Sequence, residues 1–235
     1  MSDYLVGSSL YFQRAIKPRE GLSLIRRAVE TLGEYHGAPL RPYLPEQAEI
    51  LTGMDVGAFE ASGYLLILNH ECLAAETGQS TFLVNVAYSE PGRNITQIQI
   101  FFAMSLEGPD LARVWRCALE WMPVFVEATG PSLAVLNAIP DTEHHPDFLP
   151  PEAQVRPRAF PPFFVPWNYL GPERLDEERR RFLQSLPVAN SAPFGEGWVL
   201  QVVRELTDHP SDGFLTLLAK APGESRVEYR QPEVD

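Results

Sequence analysis

Hydrophobic and polar positions follow two different periods in the first half of the chain. Apolar residues dominate Tyr4–Phe12, and in Ile95–Met104 they occupy every second position from Ile98 onwards, so both segments are predicted to be strands. Further strand-sized apolar runs occur at Tyr64–Leu68, Thr81–Tyr88 and Leu133–Leu136. Because Pro91-Gly92 is a turn signal, Thr81–Tyr88 and Ile95–Met104 are predicted to pair as an antiparallel hairpin.

Apolar residues at helical spacing predict two amphipathic helices. The first begins at Pro18, which suits an opening turn, and its apolar stripe consists of Leu22, Ile25, Val29 and Leu32. The second spans Pro109–Thr129, and Pro123 is expected to kink it or to end its regular part.

The C-terminal part adds a charged helix, predicted over Glu173–Leu186. Acidic residues stand four positions before basic ones in the pairs Asp176/Arg180 and Glu177/Arg181, a spacing that stabilises a helix. The apolar segments Trp198–Glu205 and Phe214–Leu218 complete this part.

This order of elements predicts an α+β fold, with an antiparallel sheet and helices packed on one face, because that arrangement covers every apolar stripe. Composition divides the chain into an N-terminal α+β part over 1–139, a proline-rich structured connection over 140–172, and a C-terminal α+β part over 173–235. We expect the last part to pack with the first as one unit.

Composition bounds the class of protein. Hydrophobic residues make up 45% of the 235 positions and charged residues 21%, which is typical of a globular chain. No apolar run approaches the roughly 20 residues that span a bilayer, and Met1–Tyr4 has no secretory-signal character. We therefore expect a cytoplasmic protein that does not contact a membrane. Two cysteines, Cys72 and Cys117, are too few for a disulfide framework.

The net charge of −12 argues against direct binding of nucleic acid and is compatible with a basic protein partner. Residues 42–92 contain seven carboxylates and no Lys or Arg. They form either an ordinary solvated surface or one electronegative face. The carboxylates expected to be most exposed, and so the candidates for binding a partner, are Glu46, Glu49, Asp55 and Glu60.

A search for catalytic motifs finds no phosphate-binding loop, dinucleotide fingerprint, zinc spacing or nucleophile elbow. The cluster Asp141, Glu143, His144, His145 and Asp147 has metal-ligand chemistry. Since it lies between prolines in an apparent loop, a solvated loop is favoured over a metal site. The sequence therefore predicts no catalytic residue, no metal and no cofactor.

The four tryptophans divide into two pairs. Trp115 and Trp121 lie on the long amphipathic helix and are predicted to be core residues. Trp167 and Trp198 lie at loop edges, where an aromatic residue either fastens a loop to the core or anchors an interface. Both are candidate partner-binding residues.

Two segments carry a resemblance to a known family. The run Pro166-Trp167-Asn168-Tyr169-Leu170-Gly171-Pro172, then a charged helix, then Gly195-Glu196-Gly197-Trp198-Val199-Leu200-Gln201, resembles the immunity protein 52 family of bacterial polymorphic toxin systems, as in type VI secretion. The resemblance lies mainly in residues 160–205. It implies a non-enzymatic antitoxin that binds a cognate toxin with a basic, restriction-endonuclease-like nuclease domain.

Two other functions stay open at the level of sequence. One is a small metal-dependent enzyme that uses the Asp141–Asp147 cluster, and the other is an adaptor protein of a secretion system. Metal-dependent turnover by the protein alone would favour the enzyme, whereas neutralisation of a lethal neighbouring gene product would favour the antitoxin.

Overall fold

The structure is a computed structural model, and it describes residues 4–17, 20–21, 23–24, 27–28, 31, 64–70, 82–87, 95–106, 108–140, 160–161, 163–222 and 227–230. The statements on structure that follow concern these residues.

Eight of the ten strands in the described residues form one antiparallel sheet, and the other two form a small parallel pair. The strands are β1 (Tyr4–Ile16), β2 (Tyr64–His70), β3 (Phe82–Ala87), β4 (Ile95–Leu106), β5 (Leu133–Pro140), β6 (Phe163–Phe164), β7 (Trp167–Leu170), β8 (Asn190–Phe194), β9 (Gly197–Gln201) and β10 (Glu228–Tyr229). Their order in the large sheet is β2-β3-β4-β1-β5-β7-β9-β8, and β6 pairs with β10.

Three helices pack against these strands: α1 (Gly108–Thr129), α2 (Glu177–Ser185) and α3 (Asp212–Leu218). The described residues between 20 and 31 also have helical backbone, as the apolar stripe in that segment predicts. None of the helices in the described ranges combines the length and the apolar character that crossing a membrane requires.

The antiparallel α+β fold predicted from the sequence is confirmed. The predicted hairpin is present, because β3 pairs with β4 in antiparallel register, with Val86 opposite Ile100. Strand β1 lies between β4 and β5, so that Leu10 faces Ile98 on one side and Ala134 on the other.

One face of the sheet is covered by α1. Trp115, Met122 and Phe125 of this helix are fully buried against alternate residues of the strands, such as Leu10 and Leu136. Ala28 belongs to the same cluster, so the helical segment 20–31 covers this face too. The helix continues through Pro123 to Thr129, so the proline does not end it.

The opposite face is covered by the C-terminal helices. Leu183 of α2 and Phe214 of α3 are buried against the other set of alternating residues, including Leu133, Val135 and Leu200. Helices therefore pack on both faces of the sheet around β5, β7 and β9, so the prediction of helices on one face only is wrong in this detail. Burial on both sides explains why β5 has a continuous apolar run where a half-exposed strand would alternate.

The sheet is continuous across the proline-rich connection, because β5 pairs with β7 and Leu133 faces Leu170. The predicted helix Glu173–Leu186 is wrong in its first turn. A 3-10 turn at Pro172–Arg174 comes first, and Asp176 then caps α2 by accepting a hydrogen bond from the Arg179 amide at 2.8 Å.

The ion pairs of α2 differ in part from the predicted ones. Asp176 pairs with Arg179 at 3.4 Å instead of Arg180, because its role as the cap turns its carboxylate towards that residue. The predicted pair between Glu177 and Arg181 is confirmed.

Candidate functional site

An open cleft of about 530 Å³ lies at one end of the sheet, where α1 ends, β5 begins and a tight turn joins β8 to β9. We call it the acidic cleft, and it is lined by Val126, Glu127, Gly130, Pro131, Tyr169, Pro172, Glu173, Phe194, Gly195 and Glu196.

The walls of the cleft meet because three strands end at the same level. Leu133 at the start of β5 faces Leu170 at the end of β7, and Leu170 faces Trp198 near the start of β9. Two glycines turn the chain beside these ends: Gly130 (φ +59°) and Gly195 (φ +55°) have left-handed backbone, which glycine adopts without steric cost. Gly130 donates from its amide to the Val126 carbonyl at 2.9 Å and so closes α1.

Tyr169 on β7 forms the floor of the acidic cleft. Its side chain is 6% exposed, and its ring contacts Phe194 edge to face at 6.2 Å. The ring also crosses the next strand at Gly197, where a Cβ would lie 2.4 Å from the tyrosine hydroxyl. In the described part of the chain this hydroxyl has no hydrogen-bond partner.

The pKa of Tyr169 is raised, first by burial and then by the negative charges of Glu173 and Glu196. The hydroxyl therefore stays protonated at neutral pH and keeps its oxygen lone pairs for an incoming donor.

Three carboxylates surround the opening: Glu127 in the last turn of α1, Glu173 in the 3-10 turn, and Glu196 in the β8–β9 turn. Within the described ranges none of them forms an ion pair. One neighbouring cation is Arg180, whose guanidinium donates to the backbone carbonyl of Glu196 at 3.1 Å. A second is Arg174, which interacts electrostatically with Glu173 and offsets part of the negative charge at the opening.

A buried arginine fixes the 3-10 turn that carries Glu173. Arg174 is 1% exposed, and its Nε donates to the Ser132 carbonyl at 3.1 Å. The Gly171 amide donates to the same carbonyl at 2.8 Å. Burial lowers the pKa of Arg174 to about 10, which leaves it charged at neutral pH. This arginine holds the cleft wall to the start of β5.

The arrangement is suited to binding an organic cation. In the described ranges, no three His, Cys, Asp or Glu side chains are grouped closely enough to hold a metal ion, so the three carboxylates are too dispersed to ligate one together. A larger organic cation can interact with more than one of the carboxylates that line the opening.

Trp167 and Trp198 are placed in the cores. They are 2% and 5% exposed and lie on opposite faces of the sheet, so they offer almost no surface to a partner. The indole of Trp198 donates to the Ser191 hydroxyl at 2.9 Å. As the sequence predicts, Trp115 and Trp121 are core residues.

The other candidates lie outside the described residues. These are the acidic residues Glu46, Glu49, Asp55 and Glu60, and the Asp141–Asp147 cluster. Their roles stay predictions.

The acidic cleft was not predicted from the sequence, although both segments of the family resemblance contribute residues to its walls. Tyr169 and Pro172 belong to the first segment of the family resemblance, and Gly195 and Glu196 belong to the second. The signal was the glycine on each side of Glu196, which marks a tight turn that exposes a carboxylate.

Comparison with known proteins gives a distant likeness in fold. No family model matches the chain, and no curated protein matches it. A solved structure of a Pseudomonas aeruginosa type VI secretion system protein matches with 16% sequence identity and a TM-score of 0.49, over 84% of this chain and 65% of that chain. The matched region thus spans slightly less than two thirds of the Pseudomonas protein. At this identity and TM-score the likeness carries no information on function.

Proposed function

We propose that this protein is an immunity protein that binds and neutralises a cognate toxin, with a nuclease domain, delivered by a type VI secretion system. It acts without catalysis, by occupying a surface that the toxin needs. The observation that carries the proposal is the acidic cleft, because the two segments that resemble the immunity family form its walls.

The charge of the cleft agrees with a nuclease as the partner. A nuclease must attract phosphate groups, so its substrate-binding surface is basic. An inhibitor with an opposed acidic surface gains association rate and specificity from the complementary charge. The net charge of −12 adds a longer-range attraction to the same partner.

Co-expression tests the proposal. The product of the adjacent gene, as the candidate toxin, is expressed alone and together with this protein, and growth and chromosomal DNA integrity are measured. We expect growth arrest and DNA cleavage with the toxin alone, and neither when this protein is present. Toxicity that persists despite good expression of both proteins would overturn the proposal.

A double variant separates the antitoxin from the metal-dependent enzyme. H144A/H145A removes both imidazoles of the Asp141–Asp147 cluster. An antitoxin that works by binding keeps its protection, whereas loss of protection by a folded double variant would favour the metal-dependent enzyme.

A further inference from the structure

We infer that the acidic cleft binds the guanidinium group of an arginine side chain that the toxin presents. The inference rests on the proposed function and names the chemistry by which the partner is recognised. Four features support it: carboxylates that form no ion pair in the described ranges, an unfavourably placed glutamate, a tyrosine hydroxyl without a hydrogen-bond partner in those ranges, and aromatic rings in the wall.

The charge of the cleft is only partly used inside the protein, where Glu173 interacts electrostatically with the buried guanidinium of Arg174. In the described part of the chain, Glu127, Glu173 and Glu196 form no ion pair, although they share one opening. Like charges that share an opening repel one another, so a cation that binds between them reduces this repulsion.

Glu127 is also unfavourable for its own helix. It lies in the last turn of α1, which contains no basic residue, and the helix dipole places partial negative charge at that end. An acidic side chain there destabilises the helix, whereas a bound cation interacts favourably with both the dipole and the carboxylate. Local choices that oppose stability are typical of functional sites.

Tyr169 provides an independent indication of a ligand. Tyr169 is only 6% exposed and lines the cleft. Its hydroxyl has no hydrogen-bond partner in the described ranges. The oxygen is free to accept a hydrogen bond from a ligand in the cleft. An N–H donor that enters the cleft supplies the missing hydrogen bond.

The shape of the cleft favours guanidinium over ammonium or a metal ion. Its apolar wall consists of the rings of Tyr169 and Phe194, which meet at 90°. A planar guanidinium stacks on an aromatic ring and presents five N–H donors in fixed directions, so it can donate to several acceptors at once. An ammonium is a compact, strongly hydrated point charge without that planar arrangement of donors.

Arginine is also the residue that a nuclease uses to hold phosphate, through paired N–H donors. In the complex, the carboxylates of the acidic cleft therefore accept the N–H donors that such an arginine otherwise directs to phosphate. A toxin whose arginine is held in the cleft cannot contact DNA with it, which explains inhibition without catalysis.

The direct test is an NMR titration of this protein alone. The probes are N-acetyl-arginine-methylamide, the matching lysine amide and Mg²⁺, each added to roughly 100 mM at constant ionic strength, since a ligand this small binds in the millimolar range. We expect saturable shifts of the Gly130, Gly195 and Gly197 amides with the arginine amide, and an affinity at least about fivefold weaker with the lysine amide. No saturable shift, or equal binding of the arginine amide and Mg²⁺, would overturn the inference.

Two variants and a matched control locate the site. E173Q/E196Q is expected to weaken the arginine amide about tenfold, and Y169F about threefold, with an unchanged NMR fingerprint elsewhere. E178Q changes one exposed carboxylate on α2 outside the cleft and should have no effect. Equal affinity of E173Q/E196Q and E178Q would place the binding elsewhere and overturn the inference.

Toxin binding distinguishes this inference from the proposed function. If E173Q/E196Q binds the toxin as tightly as the unaltered protein, the inference fails and the proposed function stands. If the unaltered protein does not bind the toxin, the proposed function fails, whatever the titration shows. We expect the double variant to dissociate from the toxin at least about tenfold faster, because buried interfacial charge pairs act mainly on dissociation.

Discussion

At the scale of single residues, Gly197 decides where Tyr169 lies. The tyrosine ring crosses β9 at this glycine, and a Cβ there would lie 2.4 Å from the hydroxyl and 2.5 Å from the Leu170 carbonyl. Neither contact is relieved by a small rotation, because the ring is buried and the carbonyl belongs to the backbone.

We therefore predict that G197A displaces Tyr169 and lowers the free energy of unfolding by about 1–3 kcal/mol, as overpacking does. Urea unfolding followed by tryptophan fluorescence measures the change. G213A is the matched control, because a Cβ at Gly213 would lie 3.5 Å from the Pro187 side chain, an ordinary contact, on the first turn of α3. Equal stability of G197A and the unaltered protein would contradict the close approach.

At the scale of elements, Glu127 in the last turn of α1 favours the binding of a cation but lowers the stability of the helix. Replacing Glu127 by lysine exchanges an unfavourable charge for a favourable one at the helix C-terminus. We predict that E127K raises the free energy of unfolding by about 0.5–1 kcal/mol and abolishes binding of the arginine amide. Thermal unfolding and the NMR titration measure the two effects on the same sample.

E120K is the control for this prediction, since Glu120 is exposed on the same helix but two turns before its end. It makes the same change of charge away from the dipole terminus and outside the cleft. E120K and E127K with the same stability and the same affinity would show that position on the helix has no effect.

The N-terminus of α2 depends on one side chain. Asp176 accepts the Arg179 amide at 2.8 Å and thereby partners a donor that the helix leaves free. We predict that D176A lowers the free energy of unfolding by about 1 kcal/mol, whereas D176N, which keeps an acceptor oxygen, loses less than half of that. Chemical denaturation of both variants measures the difference, and equal losses would contradict the capping role.

At the scale of the whole molecule, buried tyrosine makes stability depend on alkaline pH. Burial raises the pKa of Tyr229, whose ordinary value is 10.0, and its buried hydroxyl has no hydrogen-bond partner in the described ranges. Because the folded pKa lies above the unfolded one, the unfolded chain loses this proton first. The contribution to stability is therefore complete below about pH 10 and falls as the pH rises further.

We predict that Y229F unfolds at nearly the same urea concentration as the unaltered protein at about pH 7, and loses less stability above about pH 10. Above about pH 10, the free energy of unfolding of the unaltered protein is expected to fall more steeply with pH than that of Y229F, by up to about 1.4 kcal/mol per pH unit. Arg174 acts with the opposite sign, because its folded pKa is lowered to about 10, but it is present in both proteins and cancels in the comparison. Parallel curves for the two proteins would contradict the burial of this hydroxyl.

How far the sequence predicts this structure depends on the length of each pattern. The 22 residues of α1 and the alternating residues of β4 repeat their periods often enough to be recognised from one chain. Strand β8 was missed because its five residues include Pro193 and little apolar character, and its place at the edge of the sheet tolerates both. The helix predicted from Glu173 begins only at Glu177, because the side chain of Asp176 caps its N-terminus, which spacing alone does not show.

By itself, the sequence determined the α+β class, the main strands and helices and the acidic net charge, because each is a property of local pattern or of simple counting. Only the tertiary structure decided that Glu127, Glu173 and Glu196 surround one opening above Tyr169. These residues come from a helix end, a 3-10 turn and a hairpin turn, and the pairing of β5 with β7 and of β7 with β9 brings them together. Long-range pairing of this kind is set by the packing of the two cores and leaves no period in the sequence.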